Sequence, residues 1–174
     1  MVELMQKDMF GEMFAVMQDS FPKDEYRPRE KQLALFDDER YKVYFSRGED
    51  GKIAAFIAAW QIDGLNFLEH FAVRKDLRGA GLGGAFLDEV LNLLQGQICL
   101  EVEPPESEIC SRRINFYMRH GFYLNEYEYF QPPLSDDGKP KRLMLMTHGA
   151  VATADELEQI KNALYEYAYK TKAF

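Results

Sequence analysis

The chain has 174 residues, of which 47% are hydrophobic and 29% are charged, as in an ordinary globular domain. Its net charge of −8 argues against a general nucleic-acid binder, and no apolar run approaches the roughly 20 residues that cross a bilayer. The two cysteines, Cys99 and Cys110, and the three scattered histidines indicate neither a disulfide framework nor a zinc cluster. We expect one cytoplasmic domain over residues 1–174, without metal, nucleic-acid or membrane partners.

The first half of the chain predicts two helices followed by three strands. Apolar residues recur at helical spacing from Phe10 to Phe21, Pro22 ends this stripe, and a second helix is predicted from Pro28 to about Phe36. The strands predicted next are Tyr41–Ser46, Ile53–Trp60 and Leu65–Val73. Turn signals at 48–51 and at Asp63-Gly64 separate them, which predicts antiparallel hairpins.

The second half predicts a helix, a strand, a short helix and two closing strands. Their ranges are Leu82–Leu94, Ile98–Val102, Glu108–Arg119, Phe122–Phe130 and Arg142–Met146, with a loop at Gln131–Lys141 between the last two. A final helix over 153–170 has Thr153 and Glu156 at capping-box spacing. Its apolar stripe is Leu157, Ile160, Leu164 and Tyr167, and we expect it to pack on the core at about 41–146. Tyrosines lie on more than one side of this helix, so the helix is also a candidate contact surface for a homodimer.

A glycine-rich segment, Gly79-Ala80-Gly81-Leu82-Gly83-Gly84, opens the helix that follows the third strand. Glycines let backbone N–H groups approach an anion, and a helix N-terminus adds unpaired donors and a positive dipole end. Arg78 adds a fixed positive charge, and with Arg74 and Lys75 it forms a small basic island in an acidic chain. The segment therefore predicts a site for phosphate or pyrophosphate.

Two classes of phosphate ligand fit this segment. Gly79, Gly81 and Gly84 satisfy the dinucleotide pattern G-x-G-x-x-G, and Glu101 or Glu103 lies about 20 residues further on. A dinucleotide-binding unit, however, runs an apolar strand straight into the first glycine. Here the charged residues 74–78 intervene and hairpin-type strands precede them, which disfavours a doubly wound sheet.

The second class depends on two ordered motifs. Arg78-Gly79-Ala80-Gly81-Leu82-Gly83 matches R-x-x-G-x-G, and Phe116-Tyr117-Met118-Arg119-His120-Gly121-Phe122 matches F-Y-x-x-x-G-F. Over roughly Tyr41 to Met146 the chain resembles the GNAT (GCN5-related) N-acetyltransferases. The resemblance implies an α+β fold, with a central, mostly antiparallel mixed sheet flanked by helices on both faces. It also implies transfer of an acetyl group from acetyl-CoA to a primary amine by direct attack in a ternary complex.

The resemblance further implies which residues bind the cofactor. They are Phe71, Ala72, Val73, Arg78, Gly79, Ala80, Gly81, Leu82, Gly83, Gly84 and Tyr117. Tyr117 is also the implied acid, because a phenol with an ordinary pKa near 10 can protonate a leaving thiolate. Many family members carry Asn and Ala where this chain has Cys110 and Arg113. This departure leaves open an inactive acyl-CoA sensor or scaffold.

Glu69 is the implied base, acting directly or through water, and burial on an apolar strand is expected to raise its pKa. His70 is an alternative base, although strand alternation directs it away from the side of Glu69. Cys110 as a covalent acyl carrier has no recognisable base nearby in sequence. The residues expected to bind the acceptor amine of a small molecule or peptide are Glu25, Tyr26, Arg27, Glu103, Tyr127 and Tyr129, since acidic and aromatic groups suit a cation.

Overall fold

Residues 1–136 and 138–171 are described by a computed structural model, in which the chain forms two units. The first unit comprises residues 1–61 and 68–94, and the second comprises residues 62–67 and 95–174. Position 137 of the predicted 131–141 loop and the last three positions of the predicted domain lie outside the described residues. Within the described ranges, no helix has both the length and the apolar character needed to cross a bilayer.

The first unit is built on four strands in the order β1-β2-β3-β4. Its elements are β1 Glu3–Leu4, α1 Phe10–Ser20, α2 Arg29–Ala34, β2 Tyr41–Arg47, β3 Ile53–Ile62, β4 Leu65–Val73 and α3 Leu82–Leu93, where β3 and β4 each also give residues to the second unit. β2 pairs antiparallel with β1 and with β3. Residues 53–60 of β3 are fully buried, which confirms the predicted central strand covered on both faces.

Helix α1 presents one apolar face to the core of the first unit. Phe10, Met13, Phe14 and Met17 are all buried, as their spacing predicts. The helix ends at Ser20, immediately before Phe21 and Pro22. The segment 21–28 then crosses to α2, and this segment supplies groups to the candidate site described below.

The second unit centres on β8. Its elements are β5 Gln97–Val102, α4 Glu108–Arg119, β6 Phe122–Leu124, β7 Tyr129–Gln131, β8 Lys141–His148 and α5 Ala154–Ala163. β5, β6 and β7 all pair antiparallel with β8. The capping box predicted for the last helix is confirmed, because Thr153 and Glu156 bond reciprocally at its start.

The predicted single strand Phe122–Phe130 is wrong, because Asn125 divides it into β6 and β7. The buried amide of Asn125 donates to the Leu145 carbonyl at 3.1 Å and to the Thr147 hydroxyl at 3.0 Å. Its oxygen accepts the backbone N–H of Ala152 at 2.9 Å. The Asn125 N–H still bonds to the Leu145 carbonyl at 3.0 Å, and these side-chain bonds hold the chain where it leaves the sheet after Asn125.

The predicted stripe of the C-terminal helix is correct up to Leu164 and wrong at Tyr167. After α5 the chain forms a π-turn over Leu164–Ala168, closed by a bond of 2.9 Å from the Tyr169 N–H to the Leu164 carbonyl. A π-turn holds more residues than an α-turn, so the buried face shifts along the sequence. Tyr165 and Ala168 are buried in place of Tyr167.

Candidate functional site

The glycine-rich turn of the first unit presents open backbone donors at the start of α3. Gly79 and Gly81 have φ of +89° and +80°, which is left-handed backbone that side chains disfavour. Gly81 is the N-cap, and no side chain of the described residues caps the helix. The first backbone bond of the helix runs from the Ala85 N–H to the Gly81 carbonyl at 3.2 Å. The N–H groups of Leu82, Gly83 and Gly84 come before this bond, so they can donate to an anion.

Close packing against β4 fixes the start of α3. A Cβ added to Gly83 would lie 3.1 Å from Val73 Cγ2 and 3.6 Å from the ring of Phe71. The helix therefore begins close beside the end of the strand predicted to hold the cofactor arm, and the glycine at position 83 permits that approach. These contacts bring Phe71, Val73 and the turn together, as the sequence predicts.

Arg78, beside the turn, forms two hydrogen bonds to other residues of the first unit. Its Nε donates to the Val73 carbonyl at 2.8 Å, and a terminal nitrogen donates to the Ser20 hydroxyl at 3.3 Å. The guanidinium therefore links the end of α1 to the end of β4. The predicted contact of Arg78 with phosphate stays a prediction, and so does the bond from the cofactor to Val73.

Arg74, one of the three cations of the basic island, is paired with nearby carboxylates. It lies 2.7 Å from Asp76 and 3.0 Å from Asp50, both of which are exposed or half-exposed. The ion pairs raise the pKa of Arg74 and lower the pKa of Asp76. Arg78, by contrast, is bonded to two neutral groups, so the turn combines oriented backbone dipoles with the charge of this guanidinium.

Glu69 forms a buried ion pair with Arg27. The two side chains are 1% and 9% exposed, and Arg27 NH1 lies 2.9 Å from Glu69 Oε1. Burial alone would raise the pKa of Glu69, but the Arg27 guanidinium and the His70 ring lower it to about 2. The expected rise in the pKa of Glu69 is therefore wrong, because Arg27, predicted to bind the acceptor, lies on this carboxylate instead.

His70 contacts the same segment as Glu69. Its Nδ1 lies 3.4 Å from Glu69 Oε2, its Nε2 lies 2.8 Å from the Glu25 carbonyl, and its ring meets Phe21 edge-on at 5.1 Å. The alternation of strand side chains predicted that His70 faces away from Glu69, and this prediction is wrong. Segment 21–28 supplies a partner to each of the two adjacent side chains.

Gln32 and Tyr41 form a hydrogen-bonded pair next to Arg27. Gln32 is fully buried, and its oxygen accepts the Arg27 N–H at 3.3 Å while its amide donates to the Tyr41 hydroxyl at 3.0 Å. Desolvation and the charge of Glu69 raise the pKa of Tyr41. Neither residue was predicted for the site, because a polar residue in a short helix and a tyrosine in a strand carry no local signal of this contact.

Of the other predicted acceptor residues in the first unit, Tyr26 packs its ring edge-on against Phe14 at 5.6 Å. Glu25 contributes its carbonyl to His70, as described above. The structure thus brings Glu25, Arg27, Glu69 and His70 together within segment 21–28 and β4, and it assigns Tyr26 an anchoring contact.

In the second unit, Tyr117 lies on α4 between two aromatic rings. Its ring centroid is 5.3 Å from Phe116 and 5.7 Å from Phe122. Desolvation raises its pKa to about 12, against a smaller lowering by Arg113. The phenol is therefore fully protonated at neutral pH and remains a hydrogen-bond donor.

The two residues that depart from the family pattern meet at Glu103. Cys110 Sγ lies 3.6 Å from Glu103 Oε2, and Arg113 lies 2.9 Å from the same oxygen. Lys141 lies 3.3 Å from the other oxygen. Desolvation would raise the pKa of Glu103, but Lys141 and Arg113 lower it. Glu103, predicted to bind the acceptor, is therefore paired with two cations of its own unit.

Glu101 accepts hydrogen bonds from three side chains of the second unit. It accepts from the Tyr129 hydroxyl at 2.5 Å, from Gln131 Nε2 at 2.6 Å and from the Tyr169 hydroxyl at 2.8 Å. Tyr127, by contrast, bonds to Glu158 on α5. Tyr129 was predicted to bind the acceptor, and Glu101, considered above only for the dinucleotide pattern, holds its hydroxyl instead. A Glu inside an otherwise apolar strand was the available signal.

Comparisons with known proteins agree on one family. The model of the Acetyltransferase (GNAT) family matches residues 8–122. A solved structure named as a proposed GNAT-family acetyltransferase from Bacteroides thetaiotaomicron is 32% identical, with 99% of each chain covered and a TM-score of 0.91. The proposed acetyltransferase YjbC of Bacillus subtilis (strain 168) is 27% identical over 87% of this chain and 78% of its own.

A more distant structure shares the fold. The ribosomal-protein-S18-alanine N-acetyltransferase of Escherichia coli is 22% identical, with 89% of this chain and 96% of that chain covered and a TM-score of 0.64. The predicted α+β fold class, with a mostly antiparallel sheet flanked by helices, is confirmed by these structures.

Proposed function

Because the chain belongs to the GNAT family of acetyltransferases, we propose that it transfers the acetyl group of acetyl-CoA to a primary amine of a small molecule or peptide. The observation that carries this proposal is the start of α3, where backbone N–H groups open onto a left-handed glycine turn without a side-chain cap. When bound, acetyl-CoA supplies an activated thioester. The protein supplies binding, orientation and proton handling.

The residues present suit the cofactor. The N–H groups of Leu82, Gly83 and Gly84 form a donor set at a helix N-terminus, which is the geometry that binds pyrophosphate. Phe71 and Val73 lie against Gly83, so the end of β4 is held beside this donor set. We propose that the backbone of Phe71–Val73 hydrogen-bonds the extended arm of the cofactor, as the family resemblance implies.

We propose that binding of the acceptor opens the packing that leaves the Glu69 side chain 1% exposed, and that Glu69 then accepts a hydrogen bond from the acceptor amine or from a water on it. A carboxylate with a pKa of about 2 is too weak a base to deprotonate an ammonium ion, so the amine would lose that proton to bulk solvent before it binds, and Glu69 would orient the neutral amine. Its ion pair with Arg27 keeps the carboxylate charged and fixed. Holding the amine in place would then supply much of the acceleration.

We propose that Tyr117 donates a hydrogen bond to the leaving sulfur. With a pKa of about 12, its phenol is a weaker acid than a thiol of pKa about 8.5, so complete proton transfer to the thiolate would cost about 5 kcal/mol. Donation without transfer stabilises the developing charge and avoids that cost.

A second candidate function is an acyl-CoA-binding sensor or scaffold. It is favoured by Cys110 and Arg113, which engage Glu103 where many relatives carry Asn and Ala. A cytoplasmic location and a homodimer stay predictions from the sequence.

Two measurements on the full chain test the proposal. Calorimetry with acetyl-CoA should give binding at submillimolar concentration, and a thiol-release assay should give turnover with at least one amine among amino-acid amides, peptides, polyamines and aminoglycosides. Absence of binding would overturn the proposal. Binding without thiol release from any amine would instead assign the chain to the sensor class.

A further inference from the structure

We propose that Arg27 sets the class of acceptor: by occupying Glu69 it restricts the enzyme to weakly basic amines, such as the α-amine of a peptide or an amino-acid amide. The inference rests on the proposed function, in which the acceptor amine approaches Glu69. It goes further, because it separates α-amines from the alkyl amines of lysine side chains and polyamines.

Arg27 is fixed as part of the fold of the first unit. The Arg27 N–H is bonded to the buried Gln32 oxygen, and the preceding ring of Tyr26 packs on Phe14. Its guanidinium is 9% exposed and the carboxylate that it meets is 1% exposed. A pair this buried is a resident feature of the site and differs from a surface cation that swings into solvent.

The groups that face Glu69 offer the amine no strong base. They are Arg27 from segment 21–28, His70 from β4 and Tyr41 from β2. Both ring nitrogens of His70 face acceptors of the protein, Glu69 Oε2 at 3.4 Å and the Glu25 carbonyl at 2.8 Å. Tyr41 is held protonated by burial. Among the described residues facing Glu69, the carboxylate itself is the remaining candidate, and Arg27 keeps its pKa at about 2.

A site without a matched base depends on amine that is already neutral. An α-amine has a pKa of about 8 and a lysine-type amine has one of about 10.4, so about a quarter of the first but only about 0.1% of the second is neutral at pH 7.5. If only the neutral form reacts, kcat/KM at this pH should favour the α-amine by about 200-fold.

The first experiment uses the unaltered protein and two acceptors of similar shape, alanine amide and sec-butylamine, together with a peptide bearing either a free N-terminus or only a free lysine. Thiol release should favour the α-amine in both pairs at pH 7.5. With the alkyl amine, kcat/KM should rise about tenfold per pH unit from pH 7 to 9. Preference for the alkyl amine, or a plateau well below its own pKa, would overturn the inference while leaving the acetyltransferase proposal intact.

The second experiment separates specificity from mere structure. In Arg27→Met the carboxylate stays buried without its cation, so its pKa rises and it can accept a proton. The preference for the α-amine should narrow by about tenfold or more, and the pH profile should gain an acidic limb. Arg27→Lys keeps the cation and should keep the preference.

Arg29→Met is the matched control, because Arg29 lies over the ring of Phe10 and the same charge is lost two residues away. It should leave the ratio of the two acceptors unchanged. If Arg27→Met lowers the rates with both acceptors equally, with no change in ratio or pH profile, Arg27 is structural and the inference fails. If Arg27→Met does not fold, the acceptor ratio and pH profile of the unaltered protein and of Arg27→Lys decide the question.

Discussion

Replacing Arg27 by Met should lower the free energy of unfolding of the first unit, and the size of this loss should depend on pH. The substitution removes the guanidinium 2.9 Å from Glu69 and leaves a carboxylate that is 1% exposed without its cation. Breaking a buried ion pair from one side usually costs about 3–5 kcal/mol, because the remaining charge is kept from water, and here it keeps only the His70 ring at 3.4 Å.

The pKa of Glu69 sets the pH range of this effect. Its fall from 4.5 to about 2 in the folded protein corresponds to about 3 kcal/mol of stability, which is the net result of burial, Arg27 and His70 together. A folded-state pKa below the unfolded value adds stability above pH 4.5 and loses it as the pH falls toward 2. The deficit of Arg27→Met should therefore be largest near pH 7 and shrink on acidification.

The single tryptophan offers the readout. Trp60 is fully buried in β3, and its ring lies 5.2 Å from Tyr41. Urea unfolding followed by its fluorescence gives the free energy of unfolding at pH 7 and pH 4. Arg29→Met serves as the control, and Arg27→Met combined with Glu69→Gln should recover part of the loss. The reasoning would be refuted if Arg27→Met lowered the free energy of unfolding by the same amount with Glu69 present and with Glu69→Gln. A loss of free energy that does not change with pH would also refute it.

Three further predictions concern the other groups described above. Gly81→Ala should cost about 1 kcal/mol at its φ of +80° and weaken acetyl-CoA binding in calorimetry, and unchanged affinity would remove the turn from the cofactor site. Tyr117→Phe should lower kcat about tenfold or more with the Kd for acetyl-CoA unchanged, while an unaltered kcat would exclude the phenol from the reaction. Glu101→Gln, which weakens the bonds from Tyr129 and Tyr169, should lower the free energy of unfolding by about 1–3 kcal/mol in a urea titration followed by circular dichroism. The half-exposed Glu103→Gln is its control, and an equal effect of both would contradict the role of the Glu101 cluster.

Features that depend on neighbouring residues were predictable from the sequence. The apolar stripe of α1, the fully buried β3, the capping box of α5 and the glycine turn before α3 all follow from local spacing and backbone preference. The glycine turn proposed to bind the cofactor is of this kind, because its donors belong to consecutive residues and the positive φ angles favour glycine.

The charge environment of Glu69 could not be predicted, because its partner Arg27 lies 42 positions away in the sequence and a spacing rule does not connect them. The sequence predicted that Glu69 is buried, and burial does disfavour its charged form. The Arg27 guanidinium nevertheless makes the net shift of the Glu69 pKa downward. The strand break at Asn125 was not predicted for a related reason, since its amide bonds to residues 20 or more positions away. The π-turn at 164–168 was not predicted because apolar spacing does not mark the extra residue in the turn.

The pairing of Arg74 with Asp50 and Asp76 has a consequence for how an acidic protein captures a polyanion. With Arg74 compensated in place, the turn has less charge with which to draw in the cofactor at long range, and the net charge of −8 repels it. We expect association with acetyl-CoA to be slow at low ionic strength and to speed up as added salt screens this repulsion. The short-range amide bonds that retain the cofactor should meanwhile keep its dissociation nearly insensitive to salt.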